Sequence, residues 1–182
     1  MSIFKTKGII LKIQKIKSGE FLYTIFTRDY GKILCNKKFS KTEKTLDLGY
    51  LINFEITTKE NVSIHKIRNI KIISELNRDN KTFDELNSYL IILSLVHNKI
   101  PTGSPIYELF NLLELINSYP NLDKTKLILT RLKIISILGE LNETHNNETI
   151  SKILKFINSN KIDRILKLTG ITEELKKELE II

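Results

Sequence analysis

The first 75 residues alternate between apolar and polar positions with the period of β-strands. In the clearest run, residues 50–57, apolar side chains occupy every second position, and Asn53, Glu55 and Thr57 lie between them. This alternation predicts a strand with one buried face. Turn residues separate similar runs, and the pattern predicts five strands over residues 3–17, 21–28, 32–39, 49–59 and 62–73. Five short strands favour a small antiparallel barrel, and Gly8 inside the first strand indicates a bulge or bend.

From Asn77 onward the apolar residues recur with the period of helices. Thr82 and Glu85 have the spacing of a capping box, which predicts a helix that continues to about Asn98. Its predicted buried stripe consists of Phe83, Leu86, Leu90 and Leu93. Ser104 followed by Pro105 predicts the start of a second helix that ends near Pro120. The inward residues of that helix are predicted to be Leu109, Phe110, Leu113 and Ile116.

The third helical segment, residues 127–138, is apolar on nearly all sides, which predicts the central helix of a bundle. A polar break over residues 142–147 precedes three shorter predicted helices, the last of which opens at Glu173 and Glu174. The two patterns together predict an α+β chain. Residues 1–76 would form the barrel domain, and residues 77–182 would form an all-α bundle domain.

The composition is that of a folded protein. Of the 182 residues, 41% are hydrophobic, and only seven are Gly and three are Pro, which argues against disorder. No apolar run approaches the roughly 18 to 20 residues that span a bilayer. Lysines interrupt the apolar positions of the N-terminus, which therefore lacks the regions of a signal peptide. We expect a cytoplasmic protein with no membrane partner.

The positive charge lies in the first half of the chain. Residues 1–75 contain 15 Lys and Arg against 7 Asp and Glu, whereas residues 76–182 contain 14 of each kind. A basic half attached to a neutral half is typical of a protein that binds a polyanion, usually nucleic acid. Codon bias is an alternative explanation of the basic composition, since the chain has 24 Lys and only 5 Arg. That bias accounts for the preference for Lys but not for its placement.

A barrel can bind a nucleic acid strand with cations that contact phosphates and aromatic rings that stack on bases. The candidate phosphate contacts are Lys5, Lys7, Arg28, Lys32, Lys37, Lys38, Lys41, Lys44, Lys66 and Arg68. The candidate stacking rings are Tyr23, Tyr30 and Phe39. For each lysine, a solvated surface position is the alternative. For most of the aromatic residues the alternative is the barrel core, because small barrels need large side chains inside.

The sequence contains no constellation for catalysis. It has no Gly-x-Ser-x-Gly, Walker or His-Glu-x-x-His motif, and its three histidines are far apart. Cys35 is the single cysteine and alternates inward with Ile33, which favours a small buried thiol. Glu173 and Glu174 favour the positive end of a helix dipole. We therefore expect no enzyme, no metal and no cofactor.

Several motifs occur in the order found in a known family. The opening has Lys7-Gly8-Ile9-Ile10-Leu11, then Glu20, Phe26-Thr27 and Tyr30-Gly31-Lys32, and the second half has SPIYELFNLLELI and LTRLKIISILGEL. Over about residues 3–141 the chain resembles the RecO family of bacterial recombination mediators. It departs from the family twice. Residues 142–147 stand where many members have a four-cysteine zinc module, and Lys37-Lys38-Phe39-Ser40 stands where the family often has Lys-Gly-Ala-Arg.

The resemblance implies a fold and a function. The fold would be an OB-like barrel followed by a helical domain. The protein would bind single- and double-stranded DNA, anneal complementary strands and, with RecR, assist the loading of RecA onto DNA coated by single-strand-binding protein. In the family the helical domain binds the acidic tail of that coating protein, and Lys133, with Arg131 and Lys126 nearby, matches the cation of that pocket. Alternatively, these three cations reach solvent with their stems on the core.

Two other functions fit the charge pattern. Phosphate contacts alone do not distinguish DNA from RNA, so an RNA-binding or ribosome-associated barrel with a helical docking domain is the main alternative. A pure interaction scaffold, whose basic half reflects codon bias, is the other.

Overall fold

Five strands are followed by helices in this computed structural model, which describes residues 2–40, 42–58, 63–75, 82–119 and 122–182. The strands are β1 (Ser2–Lys17), β2 (Glu20–Thr27), β3 (Gly31–Lys38), β4 (Leu51–Thr58) and β5 (Ile64–Ser74). The helices are α1 (Phe83–Lys99), α2 (Tyr107–Ser118), α3 (Lys124–Ile137), α4 (Glu148–Ser159), α5 (Ile162–Ile165) and α6 (Glu173–Ile181). None of these helices has the length and apolar character needed to cross a bilayer.

The strands close into a barrel in the order β1-β2-β3-β5-β4. All neighbouring strands are antiparallel except β3 and β5, which pair in parallel. The long strand β1 closes the barrel, because its first part pairs with β4 and its second part with β2. Inward residues of every strand form the barrel core, among them Ile10, Tyr23, Cys35, Phe54 and Ile67. The predicted α+β class with an N-terminal OB-like barrel is confirmed.

Gly8 is not the site of a bulge, so that half of the prediction is wrong, and the alternative of a bend stays a prediction. The register of β1 shifts between Ile10 and Lys12, whereas Gly8 is regularly paired with both neighbouring strands. A Cβ atom at Gly8 would lie 2.5 Å from Cγ2 of Ile25 and 3.0 Å from Cε1 of Phe54. Glycine is therefore required here by the close packing of side chains inside the barrel.

Contacts divide the chain into two compact units. One consists of Met1–Asn80 with Leu93–Tyr119, and the other of Lys81–Ile92 with Pro120–Ile182. Helix α2 thus groups with the barrel, and helices α3 to α6 group together. The domain boundary between residues 76 and 77 falls outside the described residues and stays a prediction.

Helix α2 packs on the barrel through the face predicted for it. Leu109, Phe110, Leu113 and Ile116 are buried as predicted. The ring of Phe110 lies 6.0 Å from that of Phe26 on β2. Asn117 donates its side-chain amide to the Gly49 carbonyl at 2.8 Å. Apolar packing and this hydrogen bond hold the helix on the outer face of the barrel.

The start of α2 differs from the prediction. The helix begins at Tyr107 rather than at Ser104 and Pro105. The residues before it lie against β3: the Gly103 amide donates to the Lys32 carbonyl at 2.9 Å. Ser104 approaches the backbone at Gly31 so closely that a Cβ there would lie 2.4 Å from the Ser104 carbonyl. This long-range contact engages the backbone that would otherwise form the first helical turn.

Helix α1 has the predicted cap but a different buried stripe. Glu85 accepts a hydrogen bond from the Thr82 amide at 2.8 Å, and the Glu85 amide donates to Thr82 Oγ1 at 3.3 Å, so the capping box is confirmed. Phe83 and Leu90 were predicted to be buried, yet they are 81% and 41% exposed. The buried residues are Tyr89, Ile92, Leu93 and Val96. Because α1 is apolar on two sides, periodicity alone did not identify the covered one.

Helix α3 is the centre of the second unit, as predicted. Every residue from Leu127 to Thr130 is buried, and so are Leu132, Lys133 and Ile134. Helices α4, α5 and α6 pack around it. Asn147 and Thr172 cap the N-termini of α4 and α6 by accepting hydrogen bonds from backbone amides. The polar break at residues 142–147 thus leads into a capped helix.

Candidate nucleic-acid interface

A first depression on the barrel, here called groove 1, encloses about 510 Å³ where β1, β4 and β5 meet the turn between β2 and β3. Its cations are Lys5, Lys7 and Arg28, and its carboxylates are Asp29 and Glu55. Lys5 and Lys7 lie on β1, and Arg28 directly follows β2, so the antiparallel pairing of β1 with β2 brings the three cations together.

The cations of groove 1 differ in their partners. Lys5 is 3.6 Å from Glu55, and Lys7 is 2.8 Å from Glu114 on α2. Arg28 is exposed, and its guanidinium group forms no ion pair or hydrogen bond within the described part of the chain. Arg28 is therefore the cation of this groove that an external anion reaches most directly.

A second depression, groove 2, encloses about 640 Å³ between β5, the end of β3 and the segment that follows β3. Its cations are Lys37, Lys44 and Arg68. Its lining also contains Glu43 and Asn69 and four apolar residues, namely Phe39, Leu46, Ile70 and Ile72. Cations beside an apolar lining suit an anion that also carries an apolar part.

Two cations of groove 2 form ion pairs with carboxylates. Glu43 accepts a hydrogen bond from Lys37 at 2.9 Å and another from the Ser40 amide at 2.8 Å, and these bonds lower the pKa of its carboxyl. Glu75 accepts a hydrogen bond from Lys44 at 2.5 Å, which lowers the pKa of Glu75 and raises that of Lys44. Both pairs are solvent-accessible, so each is weak and can be exchanged for a phosphate.

Asn69 belongs to the lining of both grooves. It lies where β5 carries an irregularity opposite Asn53 and Glu55, and its φ of 50° is in the left-handed region. Its side chain donates to Glu55 at 2.7 Å. The two grooves thus meet at this residue. Six predicted phosphate contacts lie along them, namely Lys5, Lys7, Arg28, Lys37, Lys44 and Arg68.

Four of the remaining predicted DNA-binding residues line neither groove. Lys32 donates to the His97 carbonyl at 2.6 Å, and burial lowers the pKa of its ammonium group. Lys38 and Lys66 are exposed but line neither groove. Tyr30 is partly buried against the barrel core. Lys41 is outside the described residues.

Two of the three candidate stacking rings are in the core, so that prediction is wrong for them. Tyr23 is fully buried and Phe39 is 9% exposed. Their alternation along β2 and β3 turns them inward, and burial raises the pKa of Tyr23 to about 12. Cys35 is buried as predicted, and burial raises the pKa of its thiol to about 12. A neutral, enclosed thiol is not a nucleophile.

Sequence reasoning missed Phe4 as a surface aromatic. It lies on the same face of β1 as Ile10, which is in the core, so alternation indicates a buried ring. Phe4 is nevertheless 41% exposed, because it lies near the start of β1, before the strand pairs with β2 from Gly8 onward. The local pattern does not show where a strand lacks a neighbour.

The three cations of the predicted tail pocket are bonded within the helical unit. Lys133 is 6% exposed, and its Nζ donates to the carbonyls of Ile157 and Asn158 at 3.4 Å. Arg131 donates to two carbonyls near the end of α6, and Lys126 is 3.4 Å from Asp123. A peptide that bound them would compete with these contacts, and the pocket stays a prediction.

Comparison with known proteins finds a relative that is named as a DNA repair protein. No family model matches the chain. The chain is 25% identical to the DNA repair protein RecO of Clostridium acetobutylicum over an alignment of 185 residues. The alignment covers 98% of this chain and 74% of that protein. The similarity therefore includes both the barrel and the helices. Similarity over nearly the whole chain therefore supports the resemblance to the RecO family.

Proposed function

We propose that this protein acts in DNA repair by binding single- and double-stranded DNA along grooves 1 and 2. The observation that carries the proposal is the meeting of the two grooves at Asn69, which places six cations along one surface of the barrel. A sugar-phosphate chain has the regular negative charge that such a row of cations attracts. The name of the curated relative supports a role in repair.

Annealing follows from charge neutralisation and needs no covalent chemistry. Two complementary strands repel each other through their phosphates, and a basic surface that binds both reduces this repulsion. The ion pairs at Glu43 and Glu75 would open as phosphates replace the carboxylates. Because these pairs are accessible to solvent, opening them costs about 1 kcal/mol or less each.

The proposed partners extend beyond DNA. We place the protein in the bacterial cytoplasm, associated with the nucleoid during repair, where it would bind RecR and the tail of single-strand-binding protein and assist RecA. The support for these partners is the family resemblance. No enzymatic step is part of the proposal.

A competition experiment tests the function. Labelled single-stranded DNA is bound to the protein and displaced by unlabelled single-stranded DNA, duplex DNA or RNA, and annealing of labelled complementary strands is then measured. We expect DNA binding with accelerated annealing. Preference for RNA without annealing would instead identify the RNA-binding alternative, and absence of binding would leave the interaction scaffold.

Charge reversal tests the surface. Arg28 and Arg68 are exposed, one in each groove, and replacing both with Glu should weaken binding to every DNA sequence and reduce the salt slope of binding by about 2. Arg164→Glu in the helical unit is the matched control, since Arg164 is also exposed. Equal loss in the control and the double variant would show that the grooves are not the DNA surface.

A further inference from the structure

Phe4 and Tyr30 form an aromatic pair on the barrel. Their ring centroids are 5.8 Å apart, and the ring planes are inclined by 58°. Tyr30 is partly buried against the barrel core, whereas Phe4 is 41% exposed. The contact holds one side of Phe4 in place while the other part of the ring meets solvent.

The pair lies next to groove 1. Phe4 is on the same face of β1 as Thr6, which lines groove 1, and Tyr30 follows Arg28 and Asp29 in the turn between β2 and β3. Thr6 Oγ1 donates to Asp29 at 2.6 Å, which fastens this turn to β1. An exposed aromatic ring thus lies beside cations that suit phosphates.

We infer that Phe4, supported by Tyr30, is a stacking surface for a base of single-stranded DNA whose phosphates lie on Lys5 and Arg28. The inference rests on the proposed function and adds a contact that discriminates between strands. Bases in a duplex are stacked on their neighbours and are not available to the ring. Stacking on an aromatic side chain is tolerant of sequence, because every base has a flat apolar face.

Other aromatic residues do not fit this role. Tyr23 and Phe39 are buried in the barrel core. Phe83 and Tyr107 are 81% and 55% exposed, but they lie at the starts of helices, and their neighbours in the chain include no cation of either groove. Phe4 therefore combines exposure with neighbouring cations.

An abasic oligonucleotide separates base contacts from phosphate contacts. The wild-type protein is titrated with an oligothymidylate and with a strand of equal length that lacks bases in its central positions. Stacking of one base should make the complete strand bind about fivefold or more tightly. Equal affinities with ordinary salt dependence would overturn the stacking surface and leave the proposed function intact. Failure to bind either strand would overturn both.

Phe4→Leu removes the aromatic face but keeps an apolar side chain of similar size. We expect this variant to lose the preference for the complete strand while its duplex affinity stays unchanged. Phe83→Leu, an exposed phenylalanine in the helical unit, is the matched control and should keep the preference. A Phe4→Leu protein that still prefers the complete strand would overturn the inference, as would equal losses for single strand and duplex.

Discussion

At the level of single residues, several cations that the charge pattern assigned to ligands are bonded within the fold. Lys32 donates to the His97 carbonyl in the last turn of α1, and Lys133 donates to carbonyls at the end of α4. The C-terminus of a helix carries partial negative charge, which attracts a cation. The sequence identifies such residues as positive, but only the fold shows that their ammonium groups already donate hydrogen bonds to backbone carbonyls.

Lys133 gives a test at this scale. Lys133→Met keeps the stem but leaves the Ile157 and Asn158 carbonyls without their donor, so unfolding free energy should fall by about 1 to 2 kcal/mol. Lys133→Glu places a buried carboxylate against those carbonyls and should cost about 3 kcal/mol or more. Urea unfolding followed by circular dichroism measures both. A Glu variant as stable as wild type would show that the ammonium group is not buried.

At the level of elements, local periodicity predicted some features correctly, whereas long-range contacts set others. The cap of α1 and the inward face of α2 were correctly predicted, because they depend on residues three or four positions apart. The start of α2 was not, because residues 102–104 lie against β3. Gly31 has a φ of 66° and leaves room for the Ser104 backbone, so the contact depends on a missing side chain.

The stability of Gly31→Ala, compared with that of Gly103→Ala, tests the contact between Gly31 and Ser104. Both glycines have positive φ, 66° and 79°, but a Cβ at Gly103 meets nothing within 4 Å. We expect Gly103→Ala to cost about 1 to 2 kcal/mol from the left-handed backbone alone. Gly31→Ala should cost at least about 2 kcal/mol more, because its Cβ would overlap the Ser104 backbone. Equal losses in denaturant unfolding would mean that the approach of Ser104 is not required.

At the level of the whole molecule, the charge asymmetry between the two halves was apparent from the sequence, but its arrangement on the surface was not. Lys5, Lys7 and Arg28 meet in groove 1, and Lys37, Lys44 and Arg68 in groove 2. Lys38 and Lys66, equally basic in the sequence, line neither groove. Four of the six lysines and arginines that line the grooves also pair with carboxylates. The formal charge therefore overstates the positive charge that is available to an external anion.

Salt dependence tests the number of phosphate contacts. If about five phosphates are neutralised, the logarithm of the binding constant for a single strand should fall with the logarithm of salt concentration with a slope of roughly −3 to −4. Fluorescence anisotropy over a salt series measures this slope. A binding constant indifferent to salt between low and physiological ionic strength would rule out phosphate neutralisation as the source of affinity.

Local sequence was enough to predict the five strands, the change to helical periodicity after residue 76, the cap at Thr82 and the basic first half. These features depend on hydrogen bonds and apolar spacing within a few residues, which the chain carries locally. The folded molecule was needed to show which cations share a groove, that Lys133 is buried and that Phe4 is exposed. Each of those outcomes depends on groups far apart in sequence, whose meeting is set by barrel closure and helix packing.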